Sequence, residues 1–428
     1  MRPQSTLTSR GLFALAAVMA PLLGCEPSAD PAGPHGSLVA SRNVALMDAL
    51  ASPGWHGTLT TLVAEGHVNP LAASRAYALL GVAQYRAVQR AEGGNGEVND
   101  DAVTFEEESG RGGRSRRAAD RGAVAGASVV VLSYVFPAQT QALEDMVTAQ
   151  RDAARSQRAF ARGEAIGRAT GAEIVTRAQG DGFTKPFTGT IPVGQGFWTS
   201  NTTPPTVGGG QMPGVLPWFL TSASQFRPAP PPAFGSADYL AALTEIRHIS
   251  DTRTAEQVQI ATFWAMNAAA VNPGEPTPPG FWIQVATDGI TQHSFSERQA
   301  THLYALLGAT MFDAAIGCWD GKLTYWLIRP WQADPAITIV PAVGKPNHPS
   351  YPSAHSSFSS SAAEVLRAFF PDQREQLDAM VTEAGLSRMY GGIHYRFDVE
   401  AGRQLGQSVA RFAIAADRSG RSVLAPDD

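Results

Sequence analysis

Three short clusters near the C-terminus combine residue types that can do chemistry together. They span 322–330, 351–356 and 387–398, and their reactive members are Lys322, Arg329, Ser353, His355, Arg388, His394 and Asp398. Three cations and a hydroxyl can hold the oxygens of a compact anion that carries two or three negative charges. One imidazole can then attack or coordinate the central atom of that anion, while the other moves protons. The set therefore predicts an oxyanion site.

The first cluster predicts a cationic helix face. Lys322 and Arg329 are seven residues apart, which is two helical turns, and Pro330 would end the helix. Two like charges on one face repel each other unless an anion lies between them. The alternative for this pair, taken alone, is two cations on the protein surface.

The second cluster predicts a helix N-terminus that receives an anion. Ser353 and His355 lie in a Pro-Ser-Ala-His turn before a helix expected over 356–370. Backbone N–H groups at a helix N-terminus and a serine hydroxyl together form an anion cradle. The alternatives are a helix cap for Ser353 and a surface position for His355.

The third cluster predicts an oriented histidine. His394 and Asp398 are four residues apart, one turn of a helix expected over 398–417. A carboxylate on one ring nitrogen fixes the tautomer and leaves the other nitrogen free to ligate or attack. Arg388 precedes His394 by six residues, and the glycines between them allow a bend. Each histidine taken singly is more often structural.

The order and spacing of these clusters resemble the shared signature of vanadium-dependent haloperoxidases and type-2 phosphatidic acid phosphatases, most strongly over 310–415. The resemblance implies oxyanion binding by a set made of Lys322, Arg329, Ser353, the N–H of Ala354 and Arg388. It makes His394 the vanadium ligand or the phosphorylated residue, and His355 the acid–base residue. The resembled families usually have glycine where this chain has Ala354, whose N–H is retained.

Two chemistries remain open on this resemblance. The first is a vanadate-dependent haloperoxidase that takes hydrogen peroxide, a halide and a small organic substrate. The second is a soluble acid phosphatase that acts on phosphate esters through a phosphohistidine. A non-catalytic oxyanion-binding lipoprotein is a third reading, but the two intact histidines argue against it because binding alone needs no proton shuttle.

His348 bears on the choice of halide. In the resembled haloperoxidases, the residue five positions before the motif serine is aromatic in chloride-oxidising members and histidine in bromide-oxidising ones. His348 occupies that position relative to Ser353, which favours bromide over chloride. The alternative is a loop histidine packed near Tyr351.

The remaining sequence predicts an all-α fold, one or more helical bundles of the haloperoxidase/phosphatase type with long Pro/Gly-rich loops. The chain has 428 residues, 44% of them hydrophobic, and a net charge of -5, which supplies a large core and argues against nucleic-acid binding. Helices are expected over 70–85, 118–135, 138–178, 237–249, 254–270, 296–317, 356–370, 373–384 and 398–417. A short strand is expected over 336–340. The non-periodic segment 181–236 is expected to cover or shape a site.

The N-terminus predicts export. Residues 1–25 read as a signal peptide whose end, Leu-Leu-Gly-Cys, resembles a bacterial lipobox with Cys25 lipidated. We expect the protein to be anchored by this lipid to the periplasmic face of the outer membrane or to the cell surface; the alternative is an ordinary secretory signal. Beyond residue 25 no apolar run is expected to reach the ~18–20 residues that span a bilayer.

Four regions follow from these patterns. After the signal peptide, 26–38 is a tether. Residues 39–180 form an N-terminal helical region with a disordered loop over 92–118, whose alternative is a binding arm. Residues 181–428 form the domain that carries the oxyanion site over 322–398.

Overall fold

The described residues form an all-α fold, as predicted. The computed structural model describes residues 50–93, 111–266, 276–419 and 423–424, and within these ranges it has thirteen α-helices and no β-strand. They are α1 (Ala51–Glu65), α2 (Pro70–Ala91), α3 (Arg111–Val135), α4 (Thr140–Asp152), α5 (Gln157–Gly180), α6 (Ala237–Thr252), α7 (Ala255–Phe263), α8 (Pro278–Gln292), α9 (Glu297–Tyr325), α10 (Pro330–Ala333), α11 (Ala354–Phe369), α12 (Arg374–Tyr390) and α13 (Arg396–Arg418).

The central helix is α9, which is buried along nearly its whole length and packs against α2, α11 and α13. Glycines let the backbones of α2 and α9 approach closely. A Cβ added at Gly81 would lie 2.7 Å from the carbonyl oxygen of Tyr304, and one at Gly308 would meet Tyr77. Helices on both sides of residue 180 contribute to one hydrophobic core. The described parts of the two predicted regions, 39–180 and 181–428, therefore pack together.

A second close contact joins the helices that carry the last two clusters. A Cβ added at Gly402 on α13 would lie 2.4 Å from the carbonyl oxygen of Ser353, and one at Gly406 would lie 2.3 Å from that of Ser357. The N-terminal turns of α11 and α13 are therefore held side by side. This contact places the Ser353 turn next to Asp398.

The non-periodic segment 181–236 runs along α9. Backbone N–H groups of Trp218, Phe219 and Leu220 donate to the buried carboxylate of Asp313 at 2.7–3.0 Å. Farther along α9, the Asp320 carboxylate pairs with Arg227 at 2.6 Å. These two acids, to which the sequence assigned no role, thus fasten this segment to the central helix.

Several local expectations are corrected. The predicted helix over 322–329 ends at Tyr325, because Trp326 adopts the left-handed conformation with φ 50°. Residues 336–340 form no strand. The expected helix over 138–178 is two helices, α4 and α5, separated at 153–156, and the one over 254–270 ends at Phe263 within the described residues.

The disordered loop expected over 92–118 is wrong at its C-terminal end, because residues 111–118 belong to α3, which begins at Arg111. Residues 94–110 lie outside the described residues. The signal peptide, Cys25, the tether and the expected start of the helical region also lie outside them. The predictions for these segments stay predictions.

One described helix segment, Gly113–Val135, is long and apolar enough to cross a membrane by length and composition alone. This corrects the expectation that no such run follows residue 25. However, 72% of its apolar window is buried against other parts of the protein, as in a helix that packs within a protein core.

Candidate active site

All three clusters meet at one place beside the ends of α9 and α12 and the beginnings of α11 and α13. Lys322 lies in the last turn of α9 and Arg388 in the last turn of α12. Ser353 caps α11, and Asp398 lies in the first turn of α13. Arg329 was predicted to lie within a helix, but it lies in the segment before α10. Its side chain nevertheless contacts His394. The predicted residues are therefore brought together.

His394 is oriented by Asp398, as the spacing predicted. The Nδ1 atom of His394 lies 2.8 Å from Oδ2 of Asp398. Ser350 Oγ also donates to this oxygen, at 2.5 Å. Burial raises the pKa of Asp398 to about 6, so the carboxylate is ionised at neutral pH. Nδ1 must then carry the hydrogen, and Nε2 presents its lone pair to the site.

Arg329 bridges two of the three histidines of the site, His394 and His348. Its Nη1 lies 3.0 Å from Nε2 of His394, and its Nη2 lies 3.0 Å from Nδ1 of His348. An arginine can only donate, so both imidazole nitrogens are acceptors. Burial lowers the pKa of Arg329 to about 10, which leaves it charged at neutral pH. His348 also lies against the Trp319 ring, 5.1 Å between centroids, and not against Tyr351.

Lys322 is fully buried, and its ammonium group donates to three backbone carbonyls. Its Nζ lies 2.8 Å from the oxygen of Pro349, 2.9 Å from that of Ser350 and 2.6 Å from that of Pro352. Burial lowers the pKa of Lys322 to about 7. Lys322 thus supports the loop that carries His348 and Ser353, and its direct contact with an oxyanion stays a prediction.

His355 and Arg388 face the C-terminal end of α7. The Nε2 atom of His355 lies 2.9 Å from the carbonyl oxygen of Trp264, and Nη2 of Arg388 donates to that of Ala261 at 3.1 Å. A carbonyl only accepts, so Nε2 of His355 carries the hydrogen and Nδ1 can accept a proton. Burial, reinforced by the charge of Arg388, lowers the pKa of His355 well below its ordinary value.

The site has an excess of buried positive charge. Within the described residues, none of the ion pairs involves Lys322, Arg329 or Arg388, whose polar contacts are with backbone oxygens, imidazoles and a hydroxyl. With Asp398 as the buried carboxylate of the cluster, the net charge is +2 when all three basic side chains are protonated and falls towards +1 as Lys322, whose pKa is about 7, loses its proton. Uncompensated buried charge is costly in the empty protein, so this arrangement fits a bound dianionic or trianionic group such as vanadate or phosphate.

Three contributions to the site were not predicted. Ser350 lies between two predicted site residues, His348 and Ser353, and this position in the sequence could have identified it as a candidate. The carbonyls of Ala261 and Trp264 lie about ninety residues or more upstream of their partners. No local sequence pattern predicts that these two carbonyls contribute to the site, because only tertiary packing brings α7 there.

Comparisons with known proteins agree with this geometry. Residues 300–419 match the family model described as PAP2 superfamily. A 57-residue segment is 40% identical to a non-specific acid phosphatase from Salmonella typhi. That segment is 13% of this chain and 23% of that protein, so the chain matches less than a quarter of the phosphatase.

Solved structures resemble a much larger part of the chain. A structure titled as the first bacterial vanadium-dependent iodoperoxidase has a TM-score of 0.68 at 24% identity, over 85% of this chain and 95% of that one. Apo and holo forms of a bacterial vanadium-dependent chloroperoxidase each have a TM-score of 0.61 at 15% identity, over 83% of this chain and 95% and 94% of theirs. The chain therefore has the fold of these haloperoxidases. The match of residues 300–419 to the PAP2 superfamily model lies over the region that carries the three clusters, in agreement with the predicted resemblance.

Proposed function

We propose that this protein is a vanadate-dependent haloperoxidase that uses hydrogen peroxide to oxidise halide, with bromide favoured over chloride. The observation that carries the proposal is a cluster of three buried basic side chains without ion-pair partners among the described residues, one of which, Arg329, contacts Nε2 of His394. An anion-binding centre beside an oriented imidazole suits a vanadate group. The haloperoxidase fold over most of the chain supports the same reading.

In this proposal His394 would coordinate vanadium through Nε2. The oxygens of the vanadate would be held by Arg329, Arg388 and the N-terminus of α11 at Ser353 and Ala354. Lys322 would be the third cation. Bound vanadate would supply a Lewis acid that activates hydrogen peroxide towards a halide. The cations of the chain would draw negative charge away from the reacting oxygen. Arg329 would exchange its contact with Nε2 of His394 for one with the anion.

His355 would accept the proton of hydrogen peroxide. Its Nδ1 has no hydrogen when Nε2 donates to Trp264, and its lowered pKa keeps the ring neutral and able to accept at neutral pH. His348 would influence the halide through its contact with Arg329 and its place against Trp319. The preference for bromide rests on His348 alone.

The alternative is an acid phosphatase, which the local identity to the Salmonella typhi phosphatase favours. In that reaction Nε2 of His394 would attack phosphorus while the bond to the leaving oxygen breaks. A protonated His355 would give its proton to the leaving alcohol, and water would later hydrolyse the phosphohistidine. The same cations would stabilise the equatorial oxygens.

Two assays on one purified preparation separate these functions. Bromide-dependent halogenation with peroxide is measured with and without added orthovanadate, and p-nitrophenyl phosphate hydrolysis is measured in parallel. Halogenation that requires vanadate and is lost in His394→Ala supports the peroxidase. Hydrolysis that vanadate inhibits, without halogenation at any pH, makes the protein a phosphatase. Chloride in place of bromide tests the halide preference.

We also propose that the protein is exported and anchored through lipidated Cys25, on the sequence pattern given above. Detergent phase partitioning of the protein expressed in a bacterial host tests this. The native sequence should enter the detergent phase, and Cys25→Ser should remain in the aqueous phase. Equal partitioning of the two would contradict the anchor.

A further inference from the structure

The residue that follows α7 connects the active site to a carboxylate on the protein surface. The carbonyl oxygen of Trp264 lies 2.9 Å from Nε2 of His355. The indole Nε1 of the same residue donates to Oε1 of Glu383, on α12, at 2.9 Å. The Trp264 side chain is buried, whereas Glu383 is exposed. A single residue therefore lies between the proposed acid–base histidine and an exposed acid.

The C-terminal end of α7 is suited to accept hydrogen bonds from this site. The last carbonyls of a helix have no partner within the helix and carry its partial negative charge. Ala261 and Trp264, three residues apart, offer two of these carbonyls, which accept from Arg388 and His355. The position of this helix end therefore decides how both side chains are held.

The indole of Trp264 is fixed by packing and by Glu383. Its ring makes edge contacts with Phe263 and Phe281, at 5.5 and 5.1 Å between centroids. A buried indole N–H needs an acceptor, and a carboxylate is a strong one. Glu383 and Arg388 lie on the same helix, so α12 holds the end of α7 at two points.

We propose that Glu383 is a positioning residue for the acid–base step and acts through the indole of Trp264. This inference rests on the proposed function, which gives the acid–base role to His355. By holding the Trp264 carbonyl against Nε2, Glu383 keeps the His355 ring in one orientation with its hydrogen on Nε2. Nδ1 then faces the reaction from a fixed place. Peroxide activation and phosphate-ester hydrolysis both need this ring to be held.

Magnetic resonance of the protein labelled with isotopic nitrogen in its histidines tests the contact without any substrate. The Nε2–H of His355 should give a proton–nitrogen signal, because its bond to the Trp264 carbonyl slows exchange with water, and His355→Gln identifies that signal. Glu383→Leu and Trp264→Phe should weaken or remove it, since each removes one partner of the indole bond. Glu383→Gln keeps an acceptor oxygen and should retain the signal. Glu375→Ala, at an exposed position on the same helix, is the matched control.

Turnover is the second readout, in whichever of the two assays the native protein is active. We expect kcat of Glu383→Leu to fall about three- to tenfold at unchanged KM, because a misplaced acid–base group slows the chemical step and leaves binding intact. Glu383→Gln and Glu375→Ala should match the native protein. The double variant Trp264→Phe/Glu383→Leu should be no slower than the slower single variant, because both changes break the same contact.

Three results would overturn the positioning role of Glu383. They are an unchanged His355 signal and kcat in Glu383→Leu, even with a lowered melting temperature; a Glu383→Gln variant as impaired as Glu383→Leu; and losses that multiply in the double variant. A His355 signal that responds as expected, in a protein inactive in both assays, would support the contact and contradict the proposed function instead.

Discussion

The chemistry at His394 depends on which of its nitrogens is free. Asp398 fixes the hydrogen on Nδ1, and Arg329 is the group that contacts Nε2. Burial lowers the pKa of His394 well below its ordinary value, and the charges of Arg329 and Lys322 lower it further. The ring is therefore neutral at neutral pH, which both metal coordination and nucleophilic attack require.

Ser350 supports this arrangement from behind. Its hydroxyl donates to Asp398 at 2.5 Å, and its carbonyl accepts from Lys322. We predict that Ser350→Ala lowers vanadate affinity or activity by about 10- to 100-fold, as losses of partners behind a metal ligand do. Ser361→Ala is the matched control, since that buried hydroxyl bonds only within α11. Equal vanadate affinity and activity in the two variants would remove Ser350 from the site.

Lys322 should make oxyanion binding depend on pH. Its pKa is lowered from 10.5 to about 7 in the empty protein. Between these values the unfolded chain binds more protons than the folded one, so the Lys322 contribution to stability rises with pH. In the proposed site, bound sulfate needs the charged form of Lys322 and opposes this trend. Sulfate should therefore raise the melting temperature more at about pH 6.5 than at about pH 8.5.

Thermal unfolding with and without sulfate at the two pH values measures this effect. In Lys322→Arg the side chain stays charged at both values, so only the smaller changes from Asp398, whose pKa is about 6, and Arg388, whose pKa is about 9, should remain. A sulfate effect in the native protein that does not differ between the two pH values would contradict the lowered pKa of Lys322.

At the scale of the elements, periodicity predicted most helices but not how they end. The sequence places Lys322 and Arg329 on one helix, whereas α9 ends between them at Tyr325, where Trp326 adopts the left-handed conformation. A non-glycine residue in the left-handed region needs support from its surroundings. That support comes from the backbone N–H of Trp198, which donates to the Trp326 carbonyl at 2.7 Å. The segment that contains Trp198 is distant in sequence, so no local signal reveals the turn.

The candidate site was predictable to a similar extent. The cations and histidines could be identified from the sequence because residue type and spacing indicate their chemistry. Their partners could not, because Lys322, His355 and Arg388 are held by backbone carbonyls, which every residue has. Only the packing of α7 and of the loop before α11 decides which carbonyls these are.

The contact between α11 and α13 should be sensitive to a single methyl group. A Cβ at residue 402 would lie 2.4 Å from the Ser353 carbonyl oxygen, so Gly402→Ala must push the two helices apart. We predict a loss of about 1–3 kcal/mol in the free energy of unfolding together with weaker oxyanion binding, because the N-terminus of α11 would move.

Gly180→Ala is the matched control, since a Cβ there meets nothing within 4 Å. Denaturant unfolding and vanadate titration of both variants check the prediction. A Gly402→Ala protein as stable as the control, with unchanged vanadate affinity, would show that this contact does not position the site.

For the whole molecule, the positive site is buried in a chain whose net charge is -5. The cations are buried with Asp398 as the carboxylate of their cluster, and the helices and loops around them contribute to three hydrophobic clusters. The resulting fold is shared with vanadium-dependent peroxidases of different halide specificity. Fold alone does not fix the reaction, so the central question is whether His394 binds vanadate as proposed.

Vanadium retained after desalting answers that question most directly. The native protein, His394→Ala and a surface control, His248→Ala, are incubated with orthovanadate and passed over a desalting column. Metal analysis should find about one vanadium per chain in the native protein and the control, and far less in His394→Ala, because a coordinated metal dissociates slowly. Equal retention in all three proteins, or no retained vanadium in the native protein, would contradict a vanadate site at His394.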